Sequence, residues 1–166
     1  MDILLVRHGQ AGKADPKTHP DDDLRPLTAK GRKLFKRAAK GLRSLGLKPG
    51  KILASPAERT WTTAELLADG LRLKGMRITK APELHHAVSP AKALEKLSRM
   101  RLPASLAMVG HEPWLSEFLS LLIAGDTRAG IELDKGGACL VQADGLGRKK
   151  GRLIWLMTQD QLAALA

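Results

Sequence analysis

The stretch Ile3-Leu4-Leu5-Val6 runs directly into Arg7-His8-Gly9 and decides what fold to expect from the chain. The apolar run is short, is β-branched at both ends and follows Asp2, so it predicts a buried strand that ends in a loop at Gly9. In open α/β sheets, chemistry concentrates at the carboxyl ends of such strands. The sequence therefore places candidate functional side chains directly after its first strand.

Strand and helix patterns alternate from there onward. Thr28 predicts a cap for a helix from Lys30 to Leu45, where apolar residues recur at three- and four-residue spacing and Gly46 supplies a stop. Further strands are predicted at 51–54, 77–80 and 105–109, with helices from a Ser55-Pro56 cap to about Leu73, at 90–100 and at 114–124. This alternation predicts an α/β fold, a three-layer αβα sandwich around a mostly parallel sheet.

The two ends of this pattern differ from its middle. Residues 10–24 contain glycine, proline and the acidic triplet Asp21-Asp22-Asp23 without helical or alternating spacing, so we expect a loop. Residues 137–143 and 152–158 look like a closing pair of strands, with an antiparallel arrangement left open.

Size and composition indicate one ordinary globular unit. A chain of 166 residues with 43% hydrophobic and 27% charged residues fits a single domain over 1–166. Cys139 is the only cysteine, which excludes an intrachain disulfide, and the first apolar run is too short for a signal peptide or a membrane span. We expect a soluble, cytoplasmic monomer.

Four polar segments follow predicted strands and should meet in one crevice of the sheet. They are Arg7-His8-Gly9, Ser55-Pro56-Ala57-Glu58-Arg59-Thr60, Pro82-Glu83-Leu84 and Gly110-His111-Glu112-Pro113.

This ordered set resembles the histidine phosphatase superfamily, and within it the small phosphohistidine phosphatase branch of the SixA type. The branch also shows Arg-Pro-Leu-Thr before its first helix, and residues 25–28 match it. The resemblance covers residues 1 to 124 and implies a phosphoglycerate-mutase-like fold and a phosphatase. It implies that His8 is the nucleophile, that Arg7 and Arg59 bind phosphate, and that His111 is a further phosphate ligand.

Elementary chemistry agrees with these implied roles. Histidine attacks phosphorus only through an unprotonated nitrogen, and neighbouring guanidinium groups keep it neutral. Arg7 and Arg59 would also spread positive charge over the phosphoryl oxygens, while His111 would donate a hydrogen bond and be protonated when the dianion is bound. Gly9 would let the backbone approach the anion.

Proton donation and metal binding are less well marked in the sequence. Glu83 is the candidate general acid, whereas an exposed glutamate at a strand end is the plain alternative. The Asp21–Asp23 triplet is interpreted as a solvated loop because negative charge would oppose a phosphate dianion. No histidine pair has the spacing of a zinc helix, and adjacent His85 and His86 are expected to point in different directions, so no metal or other cofactor is predicted.

The strongly positive charge favours an anionic partner. The formal net charge is +11, with basic clusters on the predicted helix at 30–43 and in the turn at 148–152. Nucleic-acid or polyanion binding is the alternative from another class, but aromatic residues make up only 3% of the chain, which disfavours base stacking. The expected partner is a phosphorylated protein such as a histidine-containing phosphotransfer domain, with a small phosphoester, phosphoramidate or polyphosphorylated molecule as the alternative substrate.

Overall fold

A computed structural model describes residues 1–166 and contains six strands, five α-helices and two short 3-10 helices, at Asp22–Leu24 and Pro82–Leu84. The strands are β1 (Asp2–Arg7), β2 (Lys51–Ala54), β3 (Ile78–Lys80), β4 (Ser105–Gly110), β5 (Ala138–Ala143) and β6 (Gly151–Met157). The helices are α1 (Ala29–Ser44), α2 (Glu58–Gly70), α3 (Pro90–Ser98), α4 (Trp114–Ile123) and α5 (Gln159–Ala164).

All six strands belong to one sheet in the order β3-β2-β4-β1-β5-β6. The pairs β3-β2, β2-β4 and β4-β1 are parallel, whereas β5 is antiparallel to both β1 and β6. The predicted α/β fold with a mostly parallel sheet is thus confirmed, and the closing pair of strands, whose direction was left open, is antiparallel. Because Arg7 and Gly110 are partners in the β1-β4 register, the chain leaves both strands at the same edge of the sheet.

Helices cover both faces of the sheet, as the alternation of side chains along each strand requires. Ile3 and Leu5 face the hydrophobic cluster that contains the apolar sides of α3 and α4. Leu4 and Val6 face the second cluster, with α1, α2 and part of α5. No helix combines the length and the apolar character needed to cross a lipid bilayer.

Three local features differ from the sequence predictions. Helix α5 was not expected; its six residues are too few for a periodic pattern, although Thr158 and Gln161 form a capping box. Helix α2 begins at Glu58 with Ala57 as its cap residue, so the predicted Ser55 cap is wrong and the Ser55 hydroxyl is available elsewhere. The same helix ends at Gly70 rather than near Leu73.

Helices α1 and α5 approach so closely that Gly41 cannot carry a side chain. A Cβ at Gly41 would lie 1.7 Å from the carbonyl oxygen of Leu162. Gly41→Ala should therefore lower the free energy of unfolding by about 1–2 kcal/mol, because overpacking outweighs the gain of about 1 kcal/mol in helix propensity. Urea unfolding measures the change, with Lys40→Ala on the exposed side of the same helix as the control. Stabilisation by Gly41→Ala would contradict the close packing.

Candidate active site

The carboxyl edge of the sheet holds the two predicted site histidines side by side. His8 follows β1, and its backbone N–H donates to the carbonyl of Gly110 at 3.1 Å. Its own carbonyl accepts from the N–H of Gly136 at 3.0 Å. His111 follows β4, and the two ring centroids are 5.4 Å apart. The neighbouring positions of β1 and β4 in the sheet therefore create the pair.

A hydrogen bond to the main chain fixes which nitrogen of His8 carries the proton. Nδ1 of His8 lies 2.7 Å from the carbonyl oxygen of Gly9. A carbonyl oxygen can only accept, so Nδ1 is the donor and carries the hydrogen. In the neutral ring, Nε2 then holds the free lone pair.

The surroundings of His8 keep this ring neutral. Burial lowers its pKa from 6.5 to about 4, and the charges of Arg59, Arg7 and Arg25 act in the same direction, against the hydrogen bond to Gly9. Burial is therefore a larger cause than the guanidinium groups to which the sequence had led us to ascribe the whole effect.

The surroundings of His111 also favour the neutral form of its ring. Burial, followed by the charge of Arg59, lowers its pKa to about 2. Nε2 of His111 lies 2.9 Å from the Ser55 hydroxyl, which explains why Ser55 is not a helix cap. Nδ1 of His111 is buried and has no hydrogen-bond partner.

Three arginines, Arg7, Arg25 and Arg59, line the same cavity as the two histidines. Arg7 donates from Nη1 to the carbonyl of Leu133 at 2.6 Å, and Arg59 donates from Nη1 to the carbonyl of Asp22 at 2.6 Å. The Nε atoms of Arg7 and Arg59 are buried without a partner. Arg7 and Arg59 are therefore each anchored through Nη1 and keep a free donor at Nε.

The cavity has a volume of about 630 Å³, within the range of small-ligand sites. Arg25 had no predicted role, although it belongs to the Arg-Pro-Leu-Thr motif, because its contact with the cavity depends on how the loop before α1 folds. The cavity is lined by Arg7, His8, Ala11, Gly12, Lys13, Ala14, Asp22, Arg25, Arg59, His86, His111, Glu112, Pro113 and Lys135.

Asp22 was expected to lie in a solvated loop away from the site. Instead, its carboxylate lies between two of these arginines. Oδ2 of Asp22 lies 2.9 Å from Nη2 of Arg59, and Oδ1 lies 2.8 Å from Nε of Arg25. The hydrogen bond from Arg25 lowers the pKa of Asp22, and the charge of Arg59 adds to the effect. An ionised carboxylate thus pairs with guanidinium groups whose geometry also suits a phosphate.

Two other predicted site residues do not reach the cavity. The Gly9 N–H donates to the Thr63 hydroxyl at 3.1 Å and its carbonyl accepts from His8, so both of its backbone polar groups already have partners, and its approach to the anion stays a prediction. Glu83 lies on the 3-10 helix Pro82–Leu84 and pairs with Lys96 of α3. Burial would raise its pKa, but the bond from Lys96 and a backbone N–H outweigh it and lower the pKa. This geometry does not support Glu83 as a proton donor.

Glu112 is an acidic residue of the cavity that sequence analysis left without a role. Burial raises the pKa of its carboxyl group, against hydrogen bonds from Ser116 and Leu133. Its Oε1 accepts from the Leu133 N–H at 3.3 Å, and the Leu133 carbonyl accepts from Arg7. Glu112 therefore helps to hold the segment on which Arg7 rests. The sequence signal that could have indicated Glu112 as a residue of the cavity was its position directly after His111.

The expectation that His85 and His86 diverge is wrong, because they lie in a turn rather than in an extended strand. Their rings are 4.0 Å apart, and with Asp23 they bring potential ligand atoms within 4.8 Å of one another. Both nitrogens of His85 are already engaged, Nε2 with Asp23 at 2.8 Å and Nδ1 with the Ala87 N–H at 3.2 Å. A neutral imidazole that bound a metal through either nitrogen would lose one of these bonds.

Comparison with known proteins identifies the family of this site. Residues 3–87 match the model of the histidine phosphatase superfamily (branch 1). The chain belongs to the histidine phosphatase superfamily. A relative from Picosynechococcus, an uncharacterised protein, shares 34% identity over 143 residues, or 82% of each chain.

Solved structures of two phosphatases share the fold of this chain. The protein histidine phosphatase SixA in complex with tungstate matches with a TM-score of 0.79 at 23% identity, over 98% of this chain and 99% of that one. The α-ribazole phosphatase from Shigella flexneri matches with a TM-score of 0.64 at 16% identity, over 96% and 97% of the two chains. Superfamily members with this fold thus act on different substrates.

The protonation of His8 can be observed directly. At pH 5.5 the folded chain should show His8 with a hydrogen on Nδ1 only, because its pKa lies near 4, while the urea-unfolded chain should show protonated rings. Long-range ¹H–¹⁵N spectra, assigned with a His8→Gln variant, distinguish the two forms. The unfolded chain binds more protons between pH 4 and 6.5, so this group makes the free energy of unfolding fall as the pH drops through that window. A doubly protonated His8 at pH 5.5 would contradict the assignment.

Asp22 should compete with phosphate for Arg59 and Arg25. Asp22→Asn removes the competing charge, so the affinity for inorganic phosphate should rise several-fold, a modest effect because the carboxylate is partly exposed. Titration calorimetry measures the dissociation constant. Asp126→Asn is the matched control, since Asp126 also pairs with an arginine, Arg128, but lies beyond the far end of α4. Weaker phosphate binding by Asp22→Asn would mean that Asp22 instead orients the guanidinium groups.

Proposed function

We propose that this protein is a metal-independent phosphatase in which Nε2 of His8 attacks phosphorus and becomes transiently phosphorylated. The observation that carries the proposal is the bond from His8 Nδ1 to the Gly9 carbonyl. It leaves a lone pair on Nε2 of a ring whose pKa is lowered to about 4, in a cavity lined by three arginines.

The surrounding side chains fit a phosphoryl group. Arg7, Arg59 and His111 each have a buried nitrogen without a partner, and phosphoryl oxygens are the acceptors that such nitrogens require when they carry hydrogen. An incoming dianion would favour the protonated form of His111, because a nearby negative charge raises a histidine pKa. Arg25 would become available when the phosphate displaces Asp22.

The reaction has two balanced steps. In the first, the Nε2–P bond forms while the bond from phosphorus to the leaving group breaks, and the leaving group takes its proton from solvent or from a cavity acid. In the second, a water oxygen attacks phosphorus and the Nε2–P bond breaks. The water keeps one hydrogen as a hydroxyl of inorganic phosphate and releases its other proton to solvent. Nε2 regains its lone pair.

We further propose phosphohistidine on a protein as the substrate. Its P–N bond is labile and needs little acid catalysis, which agrees with a cavity that Glu83 does not enter. The similarity to the SixA structure supports the same choice. A small phosphoester is the second candidate, favoured by the cavity volume of about 630 Å³ and by the similarity to an α-ribazole phosphatase.

The phosphoenzyme tests this function. The wild-type chain, mixed with a ³²P-labelled phosphohistidine protein and quenched rapidly, should carry acid-labile label, and His8→Ala should carry none. The value of kcat/KM should fall on the order of 10³-fold or more in that variant, since the nucleophile is lost. His19→Ala, a loop histidine that does not line the cavity, is the control, and dialysis against EDTA should leave the wild-type rate unchanged.

Three results would contradict parts of the proposal. Normal turnover by His8→Ala would exclude the nucleophile, and complete loss of activity in EDTA would exclude metal independence. Equal kcat/KM for sugar phosphates and the phosphohistidine protein would exclude the substrate preference while leaving the nucleophile intact.

A further inference from the structure

Helix α1 carries a concentration of positive charge that no ion pair within the chain neutralises. It contains no acidic residue, and none of its basic side chains takes part in an ion pair. Six of these side chains are exposed and Arg43 is half-buried. We call the set the α1 basic face: Lys30, Arg32, Lys33, Lys36, Arg37, Lys40 and Arg43.

This arrangement opposes the stability of the helix. Arg32 and Lys36, Lys33 and Arg37, and Lys36 and Lys40 are like charges at i,i+4 spacing, which destabilise a helix. Lys30 and Arg32 also lie in the first turns, where the helix dipole disfavours cations. A mixture of acidic and basic residues would keep the helix surface solvated equally well. The all-basic face therefore lowers helix stability without improving solvation, and binding of an acidic partner would offset that loss.

The α1 basic face starts at the rim of the active-site cavity. The N–H of Thr28, the cap of α1, donates to the Gln10 carbonyl at 3.0 Å, two residues after His8. A β-bridge joins Ala11 to Leu27. The adjoining loop supplies Lys13 and Arg25 to the cavity lining.

Positive charge therefore continues from the cavity along the helix. From Lys30 to Lys40 the helix extends about 15 Å, the scale of a protein contact rather than of a small ligand. The contact would adjoin the group that enters the cavity.

We propose that the α1 basic face is the docking surface for an acidic protein whose phosphorylated side chain enters the cavity. The inference rests on the proposed function and adds to it the chemistry of the partner. The only aromatic residue of α1, Phe35, is fully buried, so the face offers charge without the stacking platforms that single-stranded nucleic acids use. Complementary charge of this kind raises association rates and falls with added salt.

Two matched triple variants test the docking surface. Lys33→Gln/Arg37→Gln/Lys40→Gln removes three charges from α1, and Lys48→Gln/Lys150→Gln/Arg152→Gln removes three exposed charges at the opposite, amino edge of the sheet. Glutamine preserves helix propensity. The partner is a phosphotransfer domain of net negative charge, phosphorylated on histidine, and para-nitrophenyl phosphate reports on the cavity alone.

In the α1 variant, KM for the phosphorylated domain should rise on the order of tenfold at low ionic strength, and added salt should abolish the difference. The control triple variant should change KM for the phosphorylated domain less than twofold. The value of kcat/KM for para-nitrophenyl phosphate should be unchanged in both triple variants. The melting temperature of the α1 variant should equal or exceed that of the wild type, because like-charge repulsion is relieved.

The outcomes separate docking from catalysis. Binding of the unphosphorylated domain, measured by fluorescence anisotropy, should weaken only in the α1 variant, whether or not the phosphorylated form is hydrolysed. If the domain binds normally but is not hydrolysed, that result would count against the proposed substrate and not against the docking surface. Equal losses in the two triple variants, or none, would overturn the docking surface. So would tighter α1-dependent binding of duplex DNA than of the acidic domain.

Discussion

The bond between Nδ1 of His8 and the Gly9 carbonyl is the contact on which the proposed chemistry of the site depends. It selects one tautomer and leaves Nε2 as the free nitrogen. It forms because the backbone around His8 is held on both sides, by Gly110 of β4 and by Gly136. Thr63 adds a third restraint, since its hydroxyl accepts from the Gly9 N–H and donates to the Arg59 carbonyl. The proposed nucleophile His8 and the arginine Arg59 are thereby positioned through the same threonine.

Much of the fold could be predicted because its signals are local. Apolar runs bounded by polar residues indicated the six strands, and apolar spacing, apolar character and cap signals indicated four of the five helices. The order of strands in the sheet brings His8 and His111 together, and the rule that parallel strands present one functional edge was sufficient to expect that. Helix α5 was missed since one and a half turns leave too little periodicity to detect.

The errors concern side chains whose partners are distant in sequence. Asp22 was assigned to solvent because its contacts with Arg59 depend on the path of the loop over the site. Glu83 was assigned to the cavity, but a 3-10 turn directs it to Lys96. Ser55 matched the pattern of a helix cap, yet the hydroxyl bonds to His111, 56 residues further along the chain. Local patterns identify the type of side chain at a site, whereas the fold decides which side chains meet.

Leu133 connects the hydrophobic interior to Arg7, an arginine that we propose binds phosphate. Its side chain is 1% exposed and packs in the cluster beneath α3 and α4. Its carbonyl accepts from Arg7, and its N–H donates to Glu112. Loosening of that interior would therefore displace a guanidinium group before the sheet itself comes apart. During gradual heating, activity would therefore decline at a lower temperature than the melting transition seen by spectroscopy. Loss of activity would be an earlier sign of loosened packing than unfolding of the chain.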